Sequence, residues 1–301
     1  MRPLASALLL LATCALHCSG TFERCDEPDR SCGRPPNTAG MTLATFRRLG
    51  ARNTRPAEDT PVDFRAFVVS AVDTLDEDMG GHVGNIWVQE VLGPGAAMVN
   101  CPELPEGRGP GRVCAIQLFN AQLQPTGYHP QVGDLVDITG GRYQEFTCAQ
   151  CAGGRGFPDD HHIPEVAGGR VTGSGVAPPP TAVLVTLAEL ERNIDLYQGV
   201  LVELRDVTAQ SEPDCRGEIA LGGATAPKLT QQLVSFPNGA LRVDARPGRV
   251  CANAPAPPAM PDPERIRTGT RWERIVGIAG YFYGPKLTPR TEGDLAGQRA
   301  P

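Results

Sequence analysis

The sequence predicts an all-β protein with two tandem domains of one type. Gly (35) and Pro (29) exceed a fifth of the 301 residues, a composition that favours short strands joined by many turns. Apolar and polar residues alternate in short runs, and one pattern of strand, glycine bend and aromatic strand occurs twice. We predict a signal peptide at 1–17, a disordered tether at 18–60, and β domains at 61–176 and 177–301.

The N-terminal sequence MRPLASALLLLATCALHCSG is typical of an export signal. One arginine precedes an apolar run from Leu4 to Leu16, which is too short to span a bilayer as a stable helix. Either Cys14 or Cys18 could carry a lipid at the start of a mature lipoprotein, and cleavage after Gly20 would give a soluble secreted form. We predict lipidation at Cys18.

The cysteine count favours Cys18. Of ten cysteines, eight remain after lipidation at Cys18, whereas lipidation at Cys14 would leave an odd thiol. An even set of cysteines in an exported protein is typical of a disulfide framework. We predict that the disulfides form within four couples that are close in sequence: Cys25/Cys32, Cys101/Cys114, Cys148/Cys151 and Cys215/Cys251.

The tether is polar and has little periodic apolar content, and the first domain follows it. Its strand candidates are VDFRAFVVSAVD, GNIWVQEV, RVCAIQLFNA, VGDLVDITGGRYQEF and GGRVTGSGV. In the second of these, Ile86 and Val88 fall on one face and Trp87 on the other. The first domain therefore has enough alternating strands for a small barrel.

The second domain follows the linker APPPTA and begins with a short helix, because Thr186 and Glu189 have the spacing of a capping box. Its strand candidates are YQGVLVELRDVTAQ, GEIALGG, GALRVDAR and the C-terminal GTRWERIVGIAGYFYGPKLTPRTEGDL. The first of them places Val200, Val202 and Leu204 on one face.

The two domains share a recognisable segment. VGDLVDITGGRYQEF and GTRWERIVGIAGYFYG each have a leading glycine, an apolar strand, a glycine bend and an aromatic strand. Gly133 and Gly140 are seven residues apart, and Gly269 and Gly277 are eight apart. This repeat predicts that the two domains have the same type of fold.

These segments resemble the tandem OB-fold modules of bacterial extracellular nucleases and related exported surface proteins. YQGVLVELRDVTAQ is similar to the strand that opens a domain there, VGDLVDITGGRYQEF to a later strand, and GIAGYFYGPKLTPRTEGDL to the end of the second module. The resemblance covers roughly residues 60–296 and implies a five-stranded, partly open barrel in each domain. We expect Gly277–Leu295 to hold the closing strand, with Pro285 and Pro289 ending its ladder.

The family fuses these modules to a catalytic nuclease domain, and the sequence shows no counterpart of that domain. We therefore expect a protein that is not an enzyme. Lys+Arg 28 against Asp+Glu 34 gives a net charge of −6, and only two residues are lysine, so the excess positive charge that a phosphate backbone attracts is missing.

Aromatic and basic residues on barrels of this type can bind single-stranded nucleic acid or another ligand. The candidates for such contacts are Trp87, Tyr281, Tyr283, Lys286 and Arg290. The structural alternative is that Trp87 fills a core and Arg290 caps a turn.

The densest cluster of metal-binding residue types is CAQCAGGRGFPDDHH at 148–162. Cys148, Cys151, His161 and His162 have the residue types of a Cys₂His₂ zinc site. Export favours oxidation of the two thiols instead, so we predict a disulfide-closed loop and no cofactor, with zinc binding or redox exchange as the alternatives.

Together these observations predict an exported, lipid-anchored, non-catalytic binding or scaffold protein of the cell envelope, attached to the membrane by its N-terminal lipid. The expected partner is an envelope or extracellular ligand. One alternative is an extracellular nucleic-acid-binding accessory protein. Another, from a different class, is a metal-dependent hydrolase that uses His161 and His162.

Overall fold

The computed structural model describes residue 43 and residues 57–73, 85–92, 101–103, 111–147, 162–212, 218–223, 227–229, 266–282 and 284–301. In these ranges the chain is mostly strand, with two short helices, so the all-β class is confirmed.

The first domain contains β1 (Pro61–Val72), β2 (Ile86–Leu92), β3 (Arg112–Phe119), β4 (Gln122–Gln124), β5 (Asp134–Phe146), β6 (Ile163–Ala167) and β7 (Arg170–Val176). The second contains β8 (Val183–Leu184), α1 (Leu187–Arg192), α2 (Ile194–Tyr197), β9 (Leu201–Thr208), β10 (Ile219–Ala220), β11 (Lys228–Leu229), β12 (Arg271–Tyr281), β13 (Pro285–Thr288), a 3₁₀ turn (Glu292–Asp294) and β14 (Leu295–Ala296).

Five strands of the first domain close into a barrel in the order β1-β2-β3-β6-β5-β1. Four of its pairings are antiparallel, and β3 with β6 is parallel. Strands β7 and β4 extend the sheet beyond β5. The five-stranded barrel expected in the first domain is confirmed, and it is closed where the resemblance implied a partly open one.

The barrel interior is apolar, and the predicted faces of β2 are correct. Ile86 and Val88 are fully buried among the core side chains, while Trp87 is half-buried on the outer face. At Gly141 on strand β5, an added Cβ would lie 2.5 Å from Val166 Cγ1 on β6. Only glycine therefore lets β5 and β6 approach this closely.

Leu43 lies within the range expected to be a tether, yet it is fully buried in the barrel core. Its backbone N–H donates to Glu90 Oε2 at 2.7 Å. The chain is therefore held against the barrel at this residue.

The second sheet has the order β10-β11-β13-β12-β9-β8, with β14 paired to β12. The described residues do not show the second five-stranded barrel that the sequence predicted. Strands β10 and β11 have two residues each, and no described ladder joins β10 to β9. At the place where a ladder would close the ring, the Gln210 N–H donates to the Ala220 carbonyl at 2.7 Å, and the Ala220 N–H donates to Ser211 Oγ at 3.0 Å.

The order of five strands is nevertheless the same in both sheets. Strands β10-β11-β13-β12-β9 correspond to β2-β3-β6-β5-β1, and the parallel pair occupies the same place in each series. The repeat seen in the sequence therefore falls on equivalent strands, β5 and β12.

The turns that lead into β5 and β12 have matching hydrogen bonds. Gly133 and Gly269 adopt φ values of 97° and 92°. The N–H of Gly133 donates to the Val69 carbonyl at 2.9 Å, and that of Gly269 donates to the Ala209 carbonyl at 2.8 Å. Gly133 thereby ties its turn to β1, and Gly269 ties its turn to the residue that follows β9.

Side chains close both turns in the same way. Asp134 Oδ2 accepts from the Gln131 N–H at 3.0 Å, and Thr270 Oγ1 accepts from the Arg267 N–H at 3.0 Å. In return, the Asp134 and Thr270 N–H groups donate to the carbonyls of Gln131 and Arg267. The repeat thus extends to individual hydrogen bonds.

The C-terminal aromatic segment forms a hairpin, which corrects the expectation of a single closing strand. Strand β12 ends at Tyr281, and β13 returns antiparallel to it from Pro285. Pro285 therefore begins a strand instead of ending a ladder, and proline is tolerated at a first strand position because no N–H is needed there.

The helix predicted at Thr186 is confirmed as α1. Thr186 Oγ1 accepts from the Glu189 N–H at 3.2 Å. The Glu189 carboxylate accepts from the Tyr197 hydroxyl, so its side chain links α1 to α2. Among the described helices, none combines the length and apolar character required to cross a membrane.

Cys101 and Cys114 form a disulfide with Cα atoms 5.1 Å apart, as the sequence predicted. It ties residues 101–103 to β3. The other cysteines named above lie outside the described residues: Cys14, Cys18, Cys25, Cys32, Cys148, Cys151, Cys215 and Cys251.

The two sheets pack against each other through β2, β3, β9 and β12. Gln89 Oε1 on β2 accepts from the Leu201 N–H at the start of β9 at 2.7 Å in a buried position. Leu201 and Ile278 pack in the barrel-side cluster, and Ala115 packs in the cluster of the second sheet. Of these residues, Ile278 also lines the cleft described next.

Candidate functional site

A cavity of about 660 Å³ lies between the barrel and the second sheet. Strands β2, β3 and β6 supply one wall, and β12 with β13 supplies the other. Its volume falls in the range of small-molecule binding sites. We call this cavity the inter-sheet cleft.

Aromatic rings line both walls of the inter-sheet cleft. Phe119 and Phe146 come from the barrel, and Phe282 comes from the end of β12. Their exposed fractions are 38%, 39% and 43%, high for large apolar side chains. Trp87 and Tyr281 contribute the remaining rings.

A row of side chains crosses four adjacent strands on the outer face of the barrel. Trp87 lies opposite Gln117, Gln117 lies opposite Glu165, and Gln144 lies opposite Glu165 on the other side. Because side chains that are paired across strands share a face, the row is contiguous. Its first three members line the inter-sheet cleft.

Glu165 is the acceptor at the centre of this row and is only 3% exposed. Gln144 Nε2 donates to its Oε1, and Gln117 Nε2 lies 3.4 Å from its Oε2. Gln117 Nε2 also donates to Asn85 Oδ1 at 2.8 Å. Burial raises the pKa of Glu165, and the hydrogen bond from Gln144 opposes that rise.

A second charged group lies on the opposite wall. Glu218 Oε1 is 2.5 Å from Lys286 Nζ, and Glu218 Oε2 is 3.3 Å from Lys228 Nζ. The Lys286 side chain is 9% exposed, so its charge is compensated mainly by this carboxylate. Glu218 thereby contacts both lysines of the chain.

The cleft lining is acidic on balance. Asp73, Glu165 and Glu218 contribute carboxyl groups, and Lys286 contributes one ammonium group. The potential of the described lining therefore opposes a polyanionic ligand.

Three of the five residues predicted to contact a ligand come together in the inter-sheet cleft: Trp87, Tyr281 and Lys286. They are distant in sequence and are brought together by the packing of β2 against the second sheet. Tyr283 lies outside the described residues.

Arg290 lies outside the inter-sheet cleft. It has the structural role given above as the alternative, which is to cap a turn. Its Nη2 lies 2.9 Å from Asp294 Oδ1, and its Nε donates to Asp294 Oδ2 at 3.0 Å. Its Nη1 reaches the Ser70 carbonyl on β1 at 3.2 Å. The guanidinium fixes the 3₁₀ turn and contacts the barrel.

The predicted metal candidates are not brought together in the described part of the chain. Cys148, Cys151 and His161 lie outside it, and His162 has its Nδ1 3.1 Å from Glu145 Oε2. The geometry of that contact falls short of a hydrogen bond. Within the described ranges, no group of three His, Cys, Asp or Glu side chains could hold a metal ion.

The sequence did not indicate Asn85, Gln117, Glu165 or Glu218 as site residues. Gln117 and Glu165 are polar residues within apolar strand runs, RVCAIQLF and IPEVA, and this interruption was the available signal. It could not be interpreted before β6, absent from the predicted strands, was known to pair with β3.

Comparisons of the chain with protein-family models, curated proteins and solved structures give no match. The functional argument therefore depends on the geometry of the inter-sheet cleft.

Proposed function

We propose that this protein is an exported, lipid-anchored binding protein of the cell envelope that holds its ligand in the inter-sheet cleft without transforming it. The observation that carries the proposal is the convergence of Trp87, Tyr281 and Lys286 on one cavity of about 660 Å³. Cavities of this size with aromatic walls and a few placed polar groups are typical of ligand sites.

The contacts that the carboxylates of Glu165 and Glu218 make with protein nitrogen atoms support a binding role over a catalytic one. Each oxygen of Glu165 and Glu218 has a nitrogen donor of the protein beside it. General acid–base catalysis needs a group within hydrogen-bond reach of the substrate proton. Carboxylates held in this way are better suited to orienting neighbouring side chains.

The strand order supports an OB-like assignment of both domains. A barrel whose third and last strands are parallel, and whose fourth strand returns to the first, has the OB arrangement. The second sheet follows the same order, so we propose that it is an OB-like barrel of the partly open kind. Ligands of OB folds bind on strands 2 and 3, which here are β2 and β3 with Trp87 and Gln117.

A nucleic-acid ligand is the weaker proposal. The aromatic rings would suit stacked bases, but Lys286 is paired with Glu218, and the cleft lining carries more carboxyl groups than ammonium groups. A hydrolase built on His161 and His162 has no supporting observation in the described residues.

The test is to fill the cleft and measure binding. Gly280 lines the cleft, and nothing lies within 4 Å of a Cβ placed there, so G280F puts a ring into open space. Saturation-transfer NMR against oligosaccharides, short peptides, amines and oligonucleotides should show one class that binds wild type and not G280F. Gly223 is equally open and does not line the cleft, so G223F is the matched control and should bind as wild type does.

Equal binding to wild type and G280F, or binding of no class, would refute the cleft as the ligand site. Mass spectrometry of the bound ligand after prolonged incubation tests the non-catalytic part, because a changed mass would contradict it. Incorporation of labelled palmitate into wild type but not C18S tests the anchor, with C14S as the comparison.

A further inference from the structure

We infer that the inter-sheet cleft recognises a neutral, hydroxyl-rich ligand, namely a segment of an oligosaccharide. This inference rests on the proposed function and adds the chemical class of the ligand. It follows from the direction of the hydrogen-bonding groups along the row that contains Trp87, Gln117 and Glu165.

Glu165 fixes the orientation of the amide next to it. Both oxygens of Glu165 lie beside amide nitrogens, Oε1 beside Gln144 Nε2 and Oε2 beside Gln117 Nε2, so the NH₂ group of Gln117 faces Glu165 as a donor. The same NH₂ group donates to Asn85 Oδ1 at 2.8 Å. Both amide hydrogens of Gln117 are therefore directed at protein acceptors.

The remaining atom of this amide is its carbonyl oxygen. With its NH₂ group engaged by Asn85 and Glu165, Gln117 keeps Oε1 as the acceptor for a ligand in the cleft that it lines. Within the described part of the chain, Asn85, whose Oδ1 accepts from Gln117, keeps its NH₂ group as a donor. The cleft thus offers an acceptor and a donor in neighbouring positions.

An acceptor next to a donor favours some classes of ligand over others. A phosphate presents acceptors alone and needs donors or positive charge, which the lining lacks in excess. An ammonium group presents donors alone and has no use for the amide of Asn85. A hydroxyl both donates and accepts, so a ligand with adjacent hydroxyls satisfies both groups.

The aromatic part of the row suits the apolar face of a sugar ring. Trp87 is the cross-strand neighbour of Gln117, and neighbouring strands lie about 5 Å apart, so the two side chains leave the sheet side by side on one face. Phe119 and Phe282 offer further exposed rings in the same cleft. A ligand with alternating apolar faces and polar edges matches this arrangement.

The test follows ligand binding through the fluorescence emission of Trp87. The chain has two tryptophans, and Trp272 is 1% exposed in the core of the second sheet. In W272F the emission therefore comes from Trp87 alone. Titration of this variant with maltohexaose, cellohexaose, laminarihexaose and chitohexaose should give a saturable change in emission with at least one of them.

Replacing the amide should remove the specificity. Q117L in the W272F background, titrated by calorimetry, should bind the same oligosaccharide about tenfold or more weakly, because one acceptor is lost and buried groups around it lose their partner. Q122L changes an exposed glutamine on β4 that does not line the cleft and should bind as the parent does. Circular dichroism and thermal unfolding check that each variant is folded.

Q117N is a second variant in case Q117L does not fold. Its shorter side chain keeps the amide group but places it farther from a ligand in the cleft, so Q117N should also weaken binding. If dT12 or choline binds in the cleft and no oligosaccharide does, the inference is overturned while the proposed function stands. If, in addition, every ligand binds G280F as well as it binds the wild type, the proposed function is also overturned.

Discussion

Lys228 and Lys286 lie directly opposite each other on the parallel strands β11 and β13, and both reach the carboxylate of Glu218. Two like charges at neighbouring positions repel, so the carboxylate between them is what permits this pairing. The two lysines differ in burial: the side chain of Lys228 is 42% exposed, and that of Lys286 is 9% exposed.

We predict that E218A lowers the free energy of unfolding by about 3 kcal/mol, because it removes the carboxylate that lies 2.5 Å from the buried ammonium of Lys286. Urea denaturation monitored by circular dichroism measures the change. K228A removes the more exposed lysine and should cost less than about 1 kcal/mol. Equal losses for E218A and K228A would contradict the assignment of the buried pair.

The matching turns at Gly133 and Gly269 predict matching costs of substitution. Both have φ in the left-handed region, and an added Cβ would lie 3.2 Å from the Ala177 carbonyl oxygen or 3.1 Å from Pro301 Cβ. G133A and G269A should each lower the free energy of unfolding by about 1–2 kcal/mol. G223A, at a glycine with open space and ordinary φ, is the control; a loss there as large as the other two would argue against backbone strain.

Removal of the Cys101–Cys114 disulfide should lower the free energy of unfolding, whatever the pairing of the other cysteines. Cys101 and Cys114 are 13 residues apart, and closing a loop of about this length stabilises by about 3 kcal/mol. The double variant C101A/C114A should lose that amount in urea denaturation. Non-reducing peptide mapping of the wild type should recover Cys101 linked to Cys114, and recovery of both as free thiols would refute the bond.

The buried carboxyl of Glu165 predicts a pH dependence. Burial raises the pKa of Glu165 above its ordinary value of 4.5, so the folded state holds the proton more tightly than the unfolded chain does. The stability due to this proton is complete below pH 4.5 and is lost as pH rises through the folded value.

Glutamine cannot lose this proton. The unfolding free energy of E165Q minus that of the wild type should therefore increase as pH rises above 4.5, measured by urea denaturation at several pH values. E58Q removes a carboxyl from an exposed position and controls for the general loss of one charge. A difference for E165Q that stays constant with pH would be inconsistent with a raised pKa.

Local pattern was sufficient for much of the fold. The alternation in GNIWVQEV placed Ile86 and Val88 inside the barrel, and Thr186 with Glu189 located the start of a helix, because each depends on neighbours along the chain. The repeat of glycine-led segments marked equivalent strands of two sheets. The Cys101–Cys114 couple was recognisable for the same reason, since its partners are close in sequence.

Other features depended on contacts between distant residues. The parallel pairing of β3 with β6 joins Gln117 to Glu165 across 48 residues, and the five-residue strand IPEVA has too little alternation to reveal it. The hairpin at Pro285 also differed from expectation, because proline ends some strands and begins others and only the pairing partner decides which.

The sequence by itself determined an all-β chain, its repeated segment, the faces of its longer strands and several residues suited to ligand contact. Only the tertiary structure decided that one sheet closes and the described part of the other does not, and that Trp87, Tyr281 and Lys286 share a cleft while Arg290 braces a turn. The physical reason is range: strand faces and caps follow from neighbours a few residues away, whereas ring closure and the meeting of two walls depend on which distant backbone groups pair.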